Sequence, residues 1–174
     1  MGAKQKIGWI GVGKMGNPMS KNLIKAGYSL TVFDIVPEAM NALAEAGAKV
    51  ASSAAGVAAD AEVIISMIPD DHALEDVSMG PKGVFKGIGT NVTYIDMSTV
   101  SPIISARVSE VAEDKGIKYL RAPVSGSTEA AEKASLTIMA SGPKDAYDQC
   151  EDIFKLLGQK VFHVGDGDEA RYMK

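Results

Sequence analysis

The chain has 174 residues, a formal net charge of −4, 46% hydrophobic residues and 23% charged residues. That is enough for one domain with a substantial core, and the balance is that of an ordinary water-soluble globular protein. The basic residues are scattered, so neither nucleic acid nor a membrane surface has electrostatic support as a partner. No apolar run is long enough to span a bilayer and no charged-then-apolar leader opens the chain, so the expected location is the cytoplasm.

The first strand is expected at Ile7-Gly8-Trp9-Ile10, followed by Gly11-Val12-Gly13-Lys14-Met15-Gly16 and a helical pattern from Pro18 to Ala26 that Gly27 closes. Strand, glycine turn and helix in this order form an anion cradle. The first glycine permits a sharp turn, and the second lets backbone amides approach phosphates. The third lets the helix pack against the strand, with its positive N-terminus facing the anion. The second apolar run, Leu30-Thr31-Val32-Phe33, ends in Asp34, about 20 residues on, where a carboxylate would accept hydrogen bonds from an adenosine ribose. These residues imply a dinucleotide site. A carboxylate at Asp34 repels a ribose 2′-phosphate, and no arginine follows it in Ile35-Val36-Pro37-Glu38, so NAD is expected over NADP.

Pro37 opens a helix that Gly47 ends, with Met40, Leu43 and Ala44 facing inward, and a short strand is expected at Val50. Ser53 caps a short alanine-rich helix. The continuous run Val63 to Ile68, stopped by Pro69, suits a parallel strand buried on both faces, and Asp70 or Asp71 caps the helix that follows it to Gly80-Pro81. A strand at 92–96 and a helix from Ser101-Pro102 to Lys115 come next, then a strand at 118–120. Residues 122–134 are small, polar and weakly periodic, which predicts mainly a loop, with room for a helical turn. Strands at 136–140 and 161–164 flank a helix that runs from Gly142-Pro143 to Leu157. On that helix Cys150, the lone cysteine, shares a spacing with Tyr147, Ile153, Phe154 and Leu157, and so reads as a buried structural thiol. His72 and His163 are too isolated for a metal site, and His72 reads as a solvated helix-start residue.

Alternating strands and helices predict an α/β fold, a doubly wound and mostly parallel Rossmann-type sheet over residues 1–164, with 165–174 starting a further helix. Ligands of such sheets bind outside the carboxyl ends of the strands. The rim after Ile10, Phe33, Ile68, Ile95 and Leu120 is therefore the expected site, with Ile68-Pro69 lining the cofactor cleft; Met15 and Met67 suit that cleft and the core equally.

Four segments in order resemble the β-hydroxyacid dehydrogenase family, which includes 3-hydroxyisobutyrate dehydrogenases and tartronate, glyoxylate and succinic semialdehyde reductases. They are Trp9 to Leu23, Asp96-Met97-Ser98-Thr99, Ala122-Pro123-Val124-Ser125-Gly126 and Gly165 to Lys174. The resemblance implies hydride transfer between a nicotinamide cofactor and a 3-hydroxy acid, a semialdehyde or a small 2-oxo acid carrying a carboxylate. It implies Lys174 as general acid and base, with Ser125, Gly126, Ser127 and Thr99 on the substrate and Thr99 also near the nicotinamide. Gly11, Val12, Gly13, Lys14, Met15, Gly16, Asp34, Ile68 and Pro69 would hold the cofactor. Free lysine, with a pKa of about 10.4, is a poor base at neutral pH. A cationic nicotinamide nearby would favour a neutral amine during oxidation, and its reduced form would leave an ammonium to act as acid.

Three departures stand out. Ser127 replaces the second glycine usual in the substrate loop, as in the NADPH-preferring glyoxylate and succinic semialdehyde reductases, which conflicts with Asp34. Asp168 and Ala170 replace glycines before the lysine. The chain stops at Lys174, where the family continues into a helical second domain with an Asn one turn on. The expectation is the cofactor domain of a longer, homo-oligomeric enzyme, itself weakly active or inactive. A non-catalytic dinucleotide-binding module is one alternative and an NADPH-dependent glyoxylate or succinic semialdehyde reductase the other; imine reduction on the same scaffold is disfavoured by the retained lysine.

Overall fold

A computed structural model describes residues 4–174. Six strands form a parallel array: β1 (Lys6–Ile10), β2 (Ser29–Phe33), β3 (Lys49–Val50), β4 (Val63–Ser66), β5 (Thr93–Asp96) and β6 (Lys118–Arg121). Their order, β3-β2-β1-β4-β5-β6, reverses direction at β1, between β2 and β4. That reversal opens the crevice used by doubly wound sheets. Beyond β6 the sheet turns mixed. Strand β8 (Leu136–Ser141) runs antiparallel to β6 and to the two-residue β7 (Val124–Ser125), while β9 (Gly158–Gly165) is parallel to β8.

Each strand deals its residues alternately to two helical layers, as a two-residue period requires. Ile7, Trp9, Val63, Ile65, Ile95 and Leu120 face one layer; Ile10, Ile64, Tyr94 and Tyr119 face the other. The first layer holds α1 (Gly16–Lys25), α2 (Asn41–Glu45), α7 (Thr128–Glu132) and α8 (Lys144–Leu157). The second holds α3 (Ala54–Ala58), α4 (Asp71–Met79), α5 (Val84–Gly87) and α6 (Pro102–Asp114). Gly8 interrupts the apolar run of β1 because a Cβ there would lie 2.5 Å from Val57 Cγ1. The chain ends in α9 (Glu169–Met173), with Lys174 just beyond it. Among the described residues no helix is long and apolar enough to cross a membrane.

Several sequence expectations need correction. Residues 122–134 are not mainly loop, because Val124–Ser125 pairs with Ile138 and Thr137 as β7 and Thr128–Glu132 forms α7. Neither element is long enough to show a period. Helix α5 was not expected, and Ala44 faces solvent while Met40 and Leu43 are buried. The segment after Pro37 enters as a 3-10 turn (Pro37–Met40) before α2. The run at 63–68 is strand only to Ser66, and β9 is longer than the apolar stretch at 161–164 suggested. Helix α1 begins at Gly16, two residues before Pro18. Asp70 is the cap of α4, its Oδ1 accepting the Ala73 N–H at 2.9 Å; Asp71 instead accepts the Ser101 N–H at 2.8 Å.

Cys150 is buried on the inner face of α8 with Tyr147, Ile153, Phe154 and Leu157, as its spacing predicted. Burial pushes its thiol up from 9.0 to about 12. In the unfolded chain the thiol ionises at its ordinary value, whereas in the folded domain it stays protonated through that range. Its stabilising contribution is therefore complete below about pH 9 and is lost as pH rises toward about 12. The fully buried Tyr94 and Tyr119 hydroxyls, raised first of all by burial, act in the same direction. Urea titrations between pH 8 and 11 should show stability falling with pH, and a thiol reagent at pH 8 should label Cys150 only upon unfolding. Rapid labelling of the native domain would contradict this.

Candidate functional site

The glycine turn is built as its sequence demands. Gly11 has φ +85°, and a Cβ there would sit 2.2 Å from the Met67 carbonyl oxygen. A Cβ on Gly16 would sit 1.9 Å from the Gly11 carbonyl oxygen. These two glycines are therefore needed by the protein itself: one turns the chain and the other lets α1 abut β1. Trp9 braces the turn, its indole N–H donating to Gly11 O at 3.0 Å. Gly13 differs, because nothing lies within 4 Å of where its Cβ would be. The fold leaves that side open at the start of α1, whose N-terminus has no side-chain cap. An uncapped helix start presents backbone N–H groups and a partial positive charge to whatever enters.

Asp34 follows β2, half-buried at the edge of this opening. Its two carboxylate oxygens are oriented by backbone donors: Val12 N–H reaches Oδ2 at 2.8 Å and Val36 N–H reaches Oδ1 at 2.9 Å. Each oxygen keeps a lone pair for a further donor. The Val12 amide is thus committed to Asp34, while the Val12 side chain is buried in the core. A cleft of about 480 Å³ joins these parts. Gly11, Gly13, Lys14, Met15, Gly16, Asp34, Ile68 and Pro69 line it, with Met67, Ile35, Val36, Ala73 and Val77 supplying apolar walls. Neither Val12 nor Thr99 is among its lining residues.

Residues 6–165 match the family described as the NAD binding domain of 6-phosphogluconate dehydrogenase. The chain belongs to that family. It is 37% identical to the mitochondrial 3-hydroxyisobutyrate dehydrogenase of Mus musculus over 174 residues, which cover 98% of this chain and 52% of the mouse protein. It is also 37% identical to the NAD-dependent L-serine dehydrogenase of Pseudomonas aeruginosa, covering 98% of this chain and 57% of that one. The 3-hydroxyisobutyrate dehydrogenase of Mycobacterium tuberculosis, solved with L-serine, superposes with a TM-score of 0.92 at 30% identity, over 98% of this chain and 58% of that one. The chain thus spans about half the length of the relatives it matches, and it corresponds to their NAD-binding domain.

The remaining predicted residues of this NAD-binding domain fall on its rim. Thr99 is exposed in the β5–α6 connection. Ser125, Gly126 and Ser127 are exposed where β7 passes into α7. Gly126 has φ +146°, and a Cβ there would meet Leu136 Cδ2 at 2.7 Å. Ser127 is the N-cap of α7, accepting the Ala130 N–H at 3.3 Å, which leaves its hydroxyl proton free to donate. Helix α7, which follows this loop, is tied back to α1 and the glycine turn: Asn22 of α1 donates to Ala131 O at 2.8 Å, and Thr128 Oγ1 lies 4.0 Å from Met15 Sδ. Lys174 is exposed.

Arg107 and Arg121, cations that a substrate carboxylate could in principle engage, both have protein partners. Arg107 pairs with Glu75 at 2.8 Å on the surface. Arg121 is buried over Tyr119, its Nε 2.8 Å from Asp168 Oδ1 in a contact too poorly aligned to be a hydrogen bond. His72 is solvated beside Asp76 at 3.5 Å, and His163 Nε2 meets Gly142 O at 2.9 Å.

Sequence reasoning missed a buried polar network. Asp96 and Arg171 form an ion pair whose side chains are 0% and 1% exposed. Arg171 also donates to Ser98 O at 2.7 Å and to Ser105 Oγ at 3.0 Å, and it lies 3.4 Å from the Tyr119 hydroxyl. Burial opposes its charge, but the Asp96 carboxylate and the Tyr119 hydroxyl together outweigh burial, so its pKa is raised. An arginine three residues from the chain end gives no periodic signal of burial. The available hint was the apolar run that stops in Asp96, a charge inside a buried strand that requires a partner.

Proposed function

We propose that the domain binds NAD(H) along the β1–α1 crevice and serves a 3-hydroxyacid or semialdehyde dehydrogenase in which Lys174 moves the proton. One observation carries the reading. The open space at Gly13, at an uncapped helix start, faces the same cleft as the fixed Asp34 carboxylate. The Gly13 turn fits a diphosphate, which its backbone amides would meet without displacing any side chain. Asp34 fits a ribose diol, each oxygen retaining an acceptor site, and its charge opposes a 2′-phosphate; this supports NAD over NADP. Ile35, Ile68, Ala73 and Val77 supply apolar surface for a base.

Bound nicotinamide would supply the hydride acceptor or donor. The chain's own part is to hold it, to anchor a substrate carboxylate at Ser125, Gly126 and Ser127 through hydroxyl and amide donors, and to exchange the hydroxyl proton at Lys174 Nζ. The resemblance of Gly165 to Lys174 and of the Ser125 loop supports the dehydrogenase over a bare binding module, which needs neither. The substrate reading extends to this chain from relatives that act on 3-hydroxyisobutyrate and L-serine.

Calorimetry tests the reading directly. NADH should bind the 174-residue chain, and Gly13→Val should abolish binding while changing stability by no more than about 0.5 kcal/mol, as for a side chain added in open space. Gly16→Ala, forced against the Gly11 carbonyl, should instead cost about 2 kcal/mol or more of stability. A folded wild-type chain that gives no heat with millimolar NADH would end the proposal.

A further inference from the structure

The buried ion pair does not stand alone. Ile68, on the wall of the cleft, donates its backbone N–H to Ser98 Oγ at 2.9 Å. Ser98 Oγ donates to Asp96 Oδ1 at 2.7 Å, and Ser66 Oγ donates to the same oxygen at 2.6 Å, itself receiving the Tyr94 hydroxyl at 3.1 Å. Asp96 Oδ2 takes the Arg171 guanidinium. Every direction in this chain is fixed by chemistry. An amide only donates, a hydroxyl has one proton to give, and a carboxylate only accepts. Ser98, Asp96 and Arg171 are all buried, where such bonds are strengthened and a broken one is not replaced by water.

The two ends of the chain matter. One is the wall of the cofactor cleft. The other is α9, which carries Arg171 and ends at Met173, with Lys174 the next residue. That short helix is held from below by few groups: Arg171 on Asp96, Ser98 and Ser105, and the Ala170 N–H on Ser141 Oγ at 3.1 Å. The Tyr172 and Met173 side chains are exposed.

We propose that Ile68, Ser98, Asp96 and Arg171 form a relay from the cofactor cleft to α9, with Arg171 as the positioning residue that sets Lys174 according to whether the cleft is filled. The proposal rests on the cofactor and Lys174 readings above. A cofactor lying against Ile68 restrains that backbone. Ser98 is thereby held, one carboxylate oxygen of Asp96 is held through it, and the guanidinium on the other oxygen holds α9. The path is a contiguous set of hydrogen bonds, one of the physical networks that can carry coupling between two sites.

Amide hydrogen exchange with and without saturating NADH distinguishes a relay from a rivet. Helix α5, which shares no bond with the network, is the internal control, since general stabilisation by a ligand slows both helices alike. In the wild-type chain NADH should slow exchange at Ala170 and Arg171 by about 3- to 30-fold beyond any change in α5. Ser98→Ala, which cuts the link to Ile68 while leaving the ion pair, should lose that extra slowing at saturating NADH. Arg171→Lys, which keeps the charge beside Asp96 but not the forked contacts, should lose it too, and it serves if Ser98→Ala does not fold. NADH binding with no extra slowing in the wild type, or equal slowing in a folded variant, would overturn the relay alone. Absence of NADH binding would overturn both the relay and the cofactor reading.

Discussion

Arg171→Met is expected to lower the unfolding free energy by about 3–5 kcal/mol, because it leaves the Asp96 carboxylate buried without a counter-charge. Methionine keeps much of the volume, so the loss reports charge and hydrogen bonding more than a cavity. For a domain of this size that is a fall of roughly 6–20 °C in melting temperature, a large share of the stability such a domain possesses. Asp96→Asn combined with Arg171→Met removes both charges and should be less destabilised than the sum of the single changes, since the second change no longer strands an ion. Urea unfolding of the four proteins gives the cycle. A single-variant loss below about 1 kcal/mol, the range of an exposed pair, would show that the ion pair is solvated in solution.

The second large effect concerns cofactor choice. Asp34→Arg should weaken NADH binding by about 10- to 100-fold, the range for losing hydrogen bonds to a charged acceptor, and should shift preference toward NADPH. Part of any loss will come from the turn itself, because Val12 and Val36 give their amides to this carboxylate. Asp34→Asn separates the two roles. It keeps an acceptor oxygen for one of the two backbone amides but loses the charge, so discrimination against the 2′-phosphate should fall while stability changes less than in the arginine variant. An unchanged ratio of NADH to NADPH affinity in Asp34→Arg would remove Asp34 from the cofactor reading.

Much of this molecule is legible along the chain because its signals are local. Gly11, Gly13 and Gly16 announce a turn by their spacing, and the structure gives each its own place: Gly11 takes a positive φ against the Met67 carbonyl, Gly13 stands in open space, and Gly16 abuts the Gly11 carbonyl. Apolar runs such as 63–66 declare strands buried on both faces, and Tyr147 to Leu157 declares one face of a helix. Short elements without a full period, β7, α5 and α7, are set by what they pack or pair against and were missed or blurred. Met67 and Ile68 look like more strand, yet they leave it to form the cleft wall, and hydropathy does not record where pairing stops.

The sequence by itself determined the doubly wound fold, the family to which the chain belongs and the position of the crevice, since each follows from residues close together in the chain. Only the tertiary structure decided that the Val12 amide serves Asp34, that Arg121 is spent on Asp168, and that Arg171 crosses to the end of β5 to meet Asp96. Those partners lie 22, 47 and 75 residues apart. A charged side chain read alone gives the same signal whether water or a buried counter-ion awaits it, and the folded backbone makes that choice by excluding the water.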